Sequence, residues 1–251
     1  MAFDVGKWHA RVLSTPAAYS RLVDLAEHPP VAAEYKRSLY VQTLDDRGAR
    51  VSPHVSRLDE RIRDSAYSDA LSAIDHYASL MVVTAATYVE NIIFEFLVVY
   101  FTAKPQSIHA HLMPNSSKRE EAYVPLREVL AASSLSELRG ELARRAARNA
   151  SDGSIEKIFE RIYKLTRHRV AADVAAPIAE IVRLRNSIVH EGRTLTKVAA
   201  SVDHRFESVY SLLREVAGIC KAEGLPYLDE GGLVDPLRFV EEELPGPVES
   251  L

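Results

Sequence analysis

The stretch ASLMVVTAATYVENIIFEFLVVYFTA, residues 78–103, decides the fold. It is the most apolar run of the chain and is long enough to cross a bilayer as a helix. Glu90, Asn91 and Glu95 stand in its middle, however, and a charged residue at mid-helix costs roughly 2.5 kcal/mol or more on insertion. The run therefore reads as the core helix of a soluble protein with no membrane partner. Its helical pattern extends back to residue 69. Residues 58–65 are either a separate short helix or its first turns, and Pro105 ends it.

Outward from this helix, the rest of the chain is also helical. Gly and Pro number 10 and 12 among 251 residues, too few for a turn-rich β protein of this length. Ala, Leu, Glu and Arg are abundant, and all favour helix. A helix is expected from Thr15-Pro16 to His28, then another over 31–44, followed by a turn at Asp45-Asp46-Arg47-Gly48. Pro114-Asn115-Ser116-Ser117 reads as a loop and 124–132 as a short helix. Ser134-Leu135-Ser136-Glu137 is a capping box opening a helix to about Asn149. Ser154 caps the next helix, whose core face is Ile155, Ile158, Phe159 and Ile162. Asp173 or Pro177 opens another, closed by Gly192. One long helix is expected over 197–223, with Val202, Phe206, Val209, Tyr210, Leu213, Val216 and Ile219 inward. The division is thus an N-terminal helical extension (1–56), an all-α bundle (57–223) and a tail (224–251). The tail is acidic at Glu241-Glu242-Glu243, packed at first and mobile at its end.

Composition narrows the function. A single cysteine, Cys220, allows no internal disulfide, and a reducing, cytoplasmic setting is the simplest reading. The net charge of −4 excludes a general polyanion binder. Charge is uneven, though: residues 138–170 hold nine Lys/Arg against four acids, a local basic surface of the kind nucleic acid requires. Within it, Lys157, Arg161, Lys164 and His168 form one helical stripe. Such a stripe is either a solvated face or a track for RNA phosphates, and Arg144, Arg145 and Arg148 carry the same ambiguity. His109 and His111 at i,i+2 do not share a helix face and have no acidic or Cys neighbours, so neither a metal nor a cofactor is expected. Phosphate-binding loops, dinucleotide fingerprints and nucleophile elbows are absent from the sequence.

The chemistry-bearing segment is Leu184-Arg185-Asn186-Ser187-Ile188-Val189-His190-Glu191-Gly192. An Arg, a polar residue and a His near the end of a helix, in an all-α chain, resemble the R-x4-6-H motif of HEPN domains. The earlier apolar helix with an internal acid, Tyr88-Val89-Glu90-Asn91-Ile92-Ile93, is also similar to these proteins, above all to subfamilies linked to RNA repair and phage defence. The resemblance covers roughly residues 60–223. It implies a dimerising helical bundle, often a metal-independent ribonuclease, with Arg185 and His190 matching the catalytic pair. Asn186 would match the polar position beside the Arg. Glu90 would match an acidic position that some members carry on the earlier helix. Arg193 would join the RNA-binding cations. A tyrosine beside the His, present in some relatives, has no counterpart here: Val189 precedes it and Glu191-Gly192-Arg193 follow.

Metal-free RNA cleavage needs one group to deprotonate the 2′-hydroxyl and one to protonate the leaving 5′-oxygen. Histidine suits both roles, and a fork-shaped arginine stabilises the phosphorane charge. At about 100° per residue, Asn186 and His190 share a face whereas Arg185 and His190 lie about 140° apart. Either the helix loosens at His190, or two copies pool their residues across a two-fold axis. The expectation is therefore an endoribonuclease of single-stranded RNA with a composite homodimer site, in defence or toxin-like restriction, with an antitoxin or defence-system protein as partner. The alternative is a catalytically silent HEPN dimer acting as an interaction or ligand-binding module. A plainer reading also stands: His190 as a helix-end cation, with Arg185 paired to Glu180, Glu191, Glu90 or another neighbour.

Overall fold

A computed structural model describes residues 1–45, 47–111, 124, 126–229 and 232. The chain is mostly helical, and nine α-helices lie among the described residues: α1 (Val5–Glu27), α2 (Pro29–Ser38), α3 (Glu60–Ala103), α4 (Leu126–Ala131), α5 (Leu135–Ala150), α6 (Ile155–Thr166), α7 (Ala172–Glu191), α8 (Lys197–Ala200) and α9 (Val202–Ala222). The expected loop at 114–117 and the acidic tail at 241–243 lie outside the described residues.

The axis of the molecule is α3. Asp59 starts it by accepting the Arg61 amide at 2.8 Å, and it runs unbroken for 44 residues, about 66 Å at 1.5 Å per residue. Residues 58–65 are thus partly its first turns and not a separate helix. The stretch 72–103 is long and apolar enough to span a bilayer. In this fold it is packed among α1, α5, α7 and α9, and Val82, Val89, Ile92, Phe96, Leu97 and Phe101 are buried.

Four boundaries differ from the sequence expectation. First, α1 begins at Val5, not Thr15: Asp4 caps it, accepting the Lys7 amide at 2.8 Å. Pro16 lies inside this helix. Val5, Trp8 and Val12, one helical stripe, sink into the same core as α3 and α9, and this burial offsets the backbone bond that Pro16 cannot donate. Residues 1–27 are therefore a layer of the bundle and not an extension to it. Second, the helix expected over 31–44 stops at Ser38. The chain turns extended at Leu39 and forms a hairpin, β2 (Thr43–Leu44) antiparallel to β3 (Arg50–Val51). The turn between them is the expected one: Asp45 Oδ1 accepts the amides of Arg47 and Ala49, and Gly48 takes φ +76°.

Third, of the two expected openings of α7 the earlier is nearly met: the helix starts at Ala172, one residue before Asp173, which puts Pro177 in its second turn. Fourth, the helix expected over 197–223 is two, α8 and α9, broken at Ser201 with φ +43°. Ala200 and Val202 are both buried, yet two residues apart in one helix they would point about 200° apart. The left-handed residue between them turns both inward. All seven expected inward residues of this region are buried or half-buried.

The capping box at α5 is present in modified form. Ser134 Oγ accepts the Glu137 amide at 3.1 Å, but the Glu137 carboxylate reaches the amide and hydroxyl of Ser133 instead of Ser134. At the other end of the chain, β1 (Phe3–Asp4) pairs in parallel with β4 (Tyr227–Leu228), and Leu225 is buried. The first residues of the tail are thus packed as expected.

Cys220 lies fully buried on α9, and burial pushes its thiol up to about 12. The thiolate, the reactive form, is then scarce near neutral pH. A disulfide exchange reagent at pH 8 is expected to leave the native protein unlabelled over hours and to label one thiol at once in denaturant. Rapid labelling of native protein would contradict the burial.

Candidate functional site

The C-terminal half of α7 and the segment that follows it, up to the start of α8, run antiparallel along α3, and three contacts fix the pairing. The Arg185 guanidinium forms an ion pair with Glu90. Further on, the Leu195 amide donates to Ser79 Oγ at 2.8 Å, and the Lys197 amide donates to Asp75 Oδ1 at 2.6 Å. His190 therefore sits beside the α3 segment between Ser79 and Glu90.

Arg185 is half-buried, with its side chain 25% exposed. Besides Glu90, its Nη1 donates to Asn186 Oδ1 at 3.1 Å. Asn186 and His190 are exposed. No hydrogen bond or ion pair links Arg185 to His190, and His190 has no such partner among the described residues. The helix does not loosen at His190: α7 continues to Glu191 and is closed by Gly192 at φ +67°, whose amide donates to Ser187 O. One chain thus presents an exposed Asn–His pair on one face and an arginine held to α3 on another, as the helix geometry implies.

Glu90 departs from the sequence reading in one respect. A carboxylate within so apolar a helix reads as buried, yet Glu90 is 51% exposed. The reason is that α3 keeps one uncovered face. Tyr77, Leu80, Thr84, Thr87 and Asn91 follow alternate spacings of three and four, the rhythm of a helix–helix seam. Tyr77 and Leu80 are 50% and 52% exposed, and Thr87 and Asn91 are exposed. Glu90 lies at the edge of this face. On α7, Val189, next to His190 in sequence, is 53% exposed. Sequence reading missed this face because exposed Leu and Tyr in an apolar run look the same as buried ones. Only the 3–4 spacing of 77, 80, 84, 87 and 91 could have marked it.

The basic stripe on α6 is not brought to this site. α6 packs along the start of α7, walling a groove with Ala172, Ala175 and Ala179. His190 is eleven residues beyond Ala179, about 16 Å further along the helix. The stripe is also largely engaged. Arg161 Nη1 donates to the carbonyls of Ala150, at 2.9 Å, and Asp152, satisfying the C-terminal end of α5. Lys164 pairs with Glu160 at 3.4 Å, and His168 Nε2 lies 3.4 Å from a Glu223 oxygen. Lys157 is exposed and remote. Arg144 pairs with Glu141. Of the expected RNA-binding cations, only Arg193 lies beside His190, exposed and three residues on.

Arg161→Ala is accordingly expected to act on stability. Loss of a charge-assisted bond to a helix end costs about 1.5–3 kcal/mol, or several degrees of melting temperature in a chain of this size. Lys157→Ala is the control and should leave the melt unchanged. Equal melts for the two variants would remove Arg161 from the capping role.

Among the described residues, no group of three or more His, Cys, Asp or Glu side chains is placed to hold a metal ion. His111 packs its ring 5.3 Å from Phe101. The chain matches no protein-family model, no curated protein and no solved structure.

Proposed function

We propose that this protein is a metal-independent endoribonuclease of the HEPN type, working as a homodimer on single-stranded RNA. The observation that carries the reading is the half-site at the end of α7. Asn186 and His190 stand exposed on one face, the Arg185 fork is oriented by Glu90 and Asn186, and the uncovered 77–91 face of α3 lies alongside. A second copy seated on that face about a two-fold axis brings a second His190 to the first. One histidine then acts as base on the 2′-hydroxyl and the other as acid on the 5′-oxygen. The products are a 2′,3′-cyclic phosphate and a 5′-hydroxyl. Arg185 exchanges its carboxylate partner for the phosphate as charge builds on the phosphorane. Arg193 supplies a further phosphate contact. Defence or toxin-like RNA restriction is the matching biological role.

The second reading is a silent HEPN dimer that binds a partner or ligand. It is favoured by the pairing of Arg185 with Glu90, which neutralises the cation that cleavage would use. Incubation of the purified protein with RNA in EDTA, with analysis of the new ends, separates the two. Cyclic-phosphate ends that depend on His190 support the nuclease; a dimer without such ends supports the silent module; a monomer without activity removes both.

A further inference from the structure

His190 stands in the last turn of α7, one residue before its end, where carbonyls lack intrahelical donors and a helix frays most readily. The turn is closed by Gly192 and by the Arg193 amide, which donates to Ser187 O at 3.3 Å, at the long end of the range for such bonds. Residues 192–196 then belong to no helix or strand, and Leu195, 3% exposed, is the one buried side chain among them. Local bonds thus hold this end of the helix weakly.

Two side-chain oxygens of α3 supply the hold. Ser79 is buried, 4% exposed. Its Oγ accepts the Leu195 amide at 2.8 Å and donates back to its own helix, to Asp75 O at 3.0 Å. Without that oxygen the Leu195 amide would be a buried donor with no acceptor. One turn earlier, Asp75 Oδ1 accepts the Lys197 amide at 2.6 Å. This is the first amide of α8, and Thr196 Oγ1 takes the Ala199 amide at 3.2 Å. The spacings match. Residues four apart in a helix share a face and lie about 6 Å apart along its axis. Amides two apart in an extended chain point the same way and lie about 6.6 Å apart. Toward this segment α3 therefore acts as a neighbouring strand would, with side-chain oxygens in place of carbonyls. Both bonds take backbone amides only and leave the Arg193 side chain exposed. The same helix holds α7 on the other side of His190, through Glu90 and Arg185.

We propose that Ser79 and Asp75 are positioning residues of the site at the end of α7. By clamping the chain on the far side of His190, they set the place of His190 and Arg193 relative to α3, and so relative to a second copy seated on α3. The catalytic consequence rests on the nuclease reading; the clamp itself does not. Each residue acts through a backbone bond and not on the substrate. Two histidines that must meet one phosphate from two chains tolerate little displacement, and a shift of about 1 Å can cost about 10²-fold in rate.

Two readouts on the full-length protein test the proposal: amide hydrogen exchange over residues 190–197, and kcat and KM for RNA cleavage in EDTA. Ser79→Ala and Asp75→Ala should each speed exchange over 190–197 about tenfold or more and leave the buried part of α9 protected. In both variants kcat should fall about tenfold or more while KM stays within about twofold, the pattern of a misplaced reacting group and not of lost binding. Asp75→Asn keeps an oxygen acceptor without the charge and should restore most of both values. Thr102→Ala is the control: its hydroxyl makes the same kind of bond back to its own helix, to Val98 O at 2.7 Å, far from the clamp, and both readouts should stay at wild-type values. Should Ser79→Ala fail to fold, Asp75→Ala carries the test, since Asp75 is only half-buried. Exchange unchanged in the alanine variants overturns the clamp. Faster exchange with unchanged kcat overturns the positioning role. Wild-type protein that cleaves no RNA removes the nuclease reading, and exchange alone then upholds or overturns the clamp.

Discussion

In EDTA, His190→Ala is expected to lower RNA cleavage by about 10²- to 10⁴-fold, the usual contribution of a positioned general acid or base. The side chain is exposed at the end of α7 and makes no hydrogen bond or ion pair among the described residues, so its removal should leave the melt almost unchanged. Loss of activity in a stable protein is what separates a reacting group from a helix-end cation. The composite site makes a second, numerical demand. If acid and base are the two His190 side chains of one dimer, one inactive subunit silences the dimer. After subunit exchange, an equal mixture of wild type and His190→Ala keeps both histidines in roughly a quarter of its dimers. Activity should then fall to about a quarter of an equal amount of wild-type dimer instead of about half. A value near one half would mean that each chain carries a complete site. Cleavage undiminished by His190→Ala would remove the nuclease reading altogether.

The sequence made parts of this site legible and hid others. Gly192 marked the end of α7, because a helix stop needs the left-handed φ that glycine supplies. The divergence of Arg185 from Asn186 and His190 follows from helix rotation alone and needs no tertiary information. The pairing of Arg185 with Glu90 was open among several partners, since 95 positions separate the two residues and only the antiparallel passage of α7 along α3 brings them together. The basic stripe misled for a related reason. A cation at helical spacing reads identically whether it faces solvent or closes another helix, and Arg161 does the latter from eleven residues away. The clearest failure lay at the amino end. Pro16 suggested a helix start because proline is unfavourable inside a helix, and that local signal was outweighed by the burial of Val5, Trp8 and Val12.

That outcome makes Trp8 the decisive residue for the N-terminal layer. Trp8 is 1% exposed in the shared core, and its ring meets Tyr88 edge-on with centroids 5.7 Å apart. Its Nε1 donates to Glu95 Oε2 at 2.8 Å, and the same carboxylate holds Lys7 Nζ at 2.6 and 2.8 Å. Trp8→Ala therefore opens a large cavity and strips a half-buried carboxylate of one donor. Substitutions of this size cost about 3–5 kcal/mol, and in a chain of this length each kcal/mol moves the melting temperature by about 2–4 °C. The expected fall is roughly 10 °C. Trp8→Phe keeps most of the apolar volume and loses the indole donor, so its fall should be clearly smaller. Deletion of residues 1–27 should be worse than either, because it uncovers the α3 and α9 surfaces that α1 buries. An unchanged melt in the deletion protein would mean that α1 is an appendage after all. A fall in Trp8→Phe equal to that in Trp8→Ala would assign the stability to the Glu95 bond, with little from the packing of the ring.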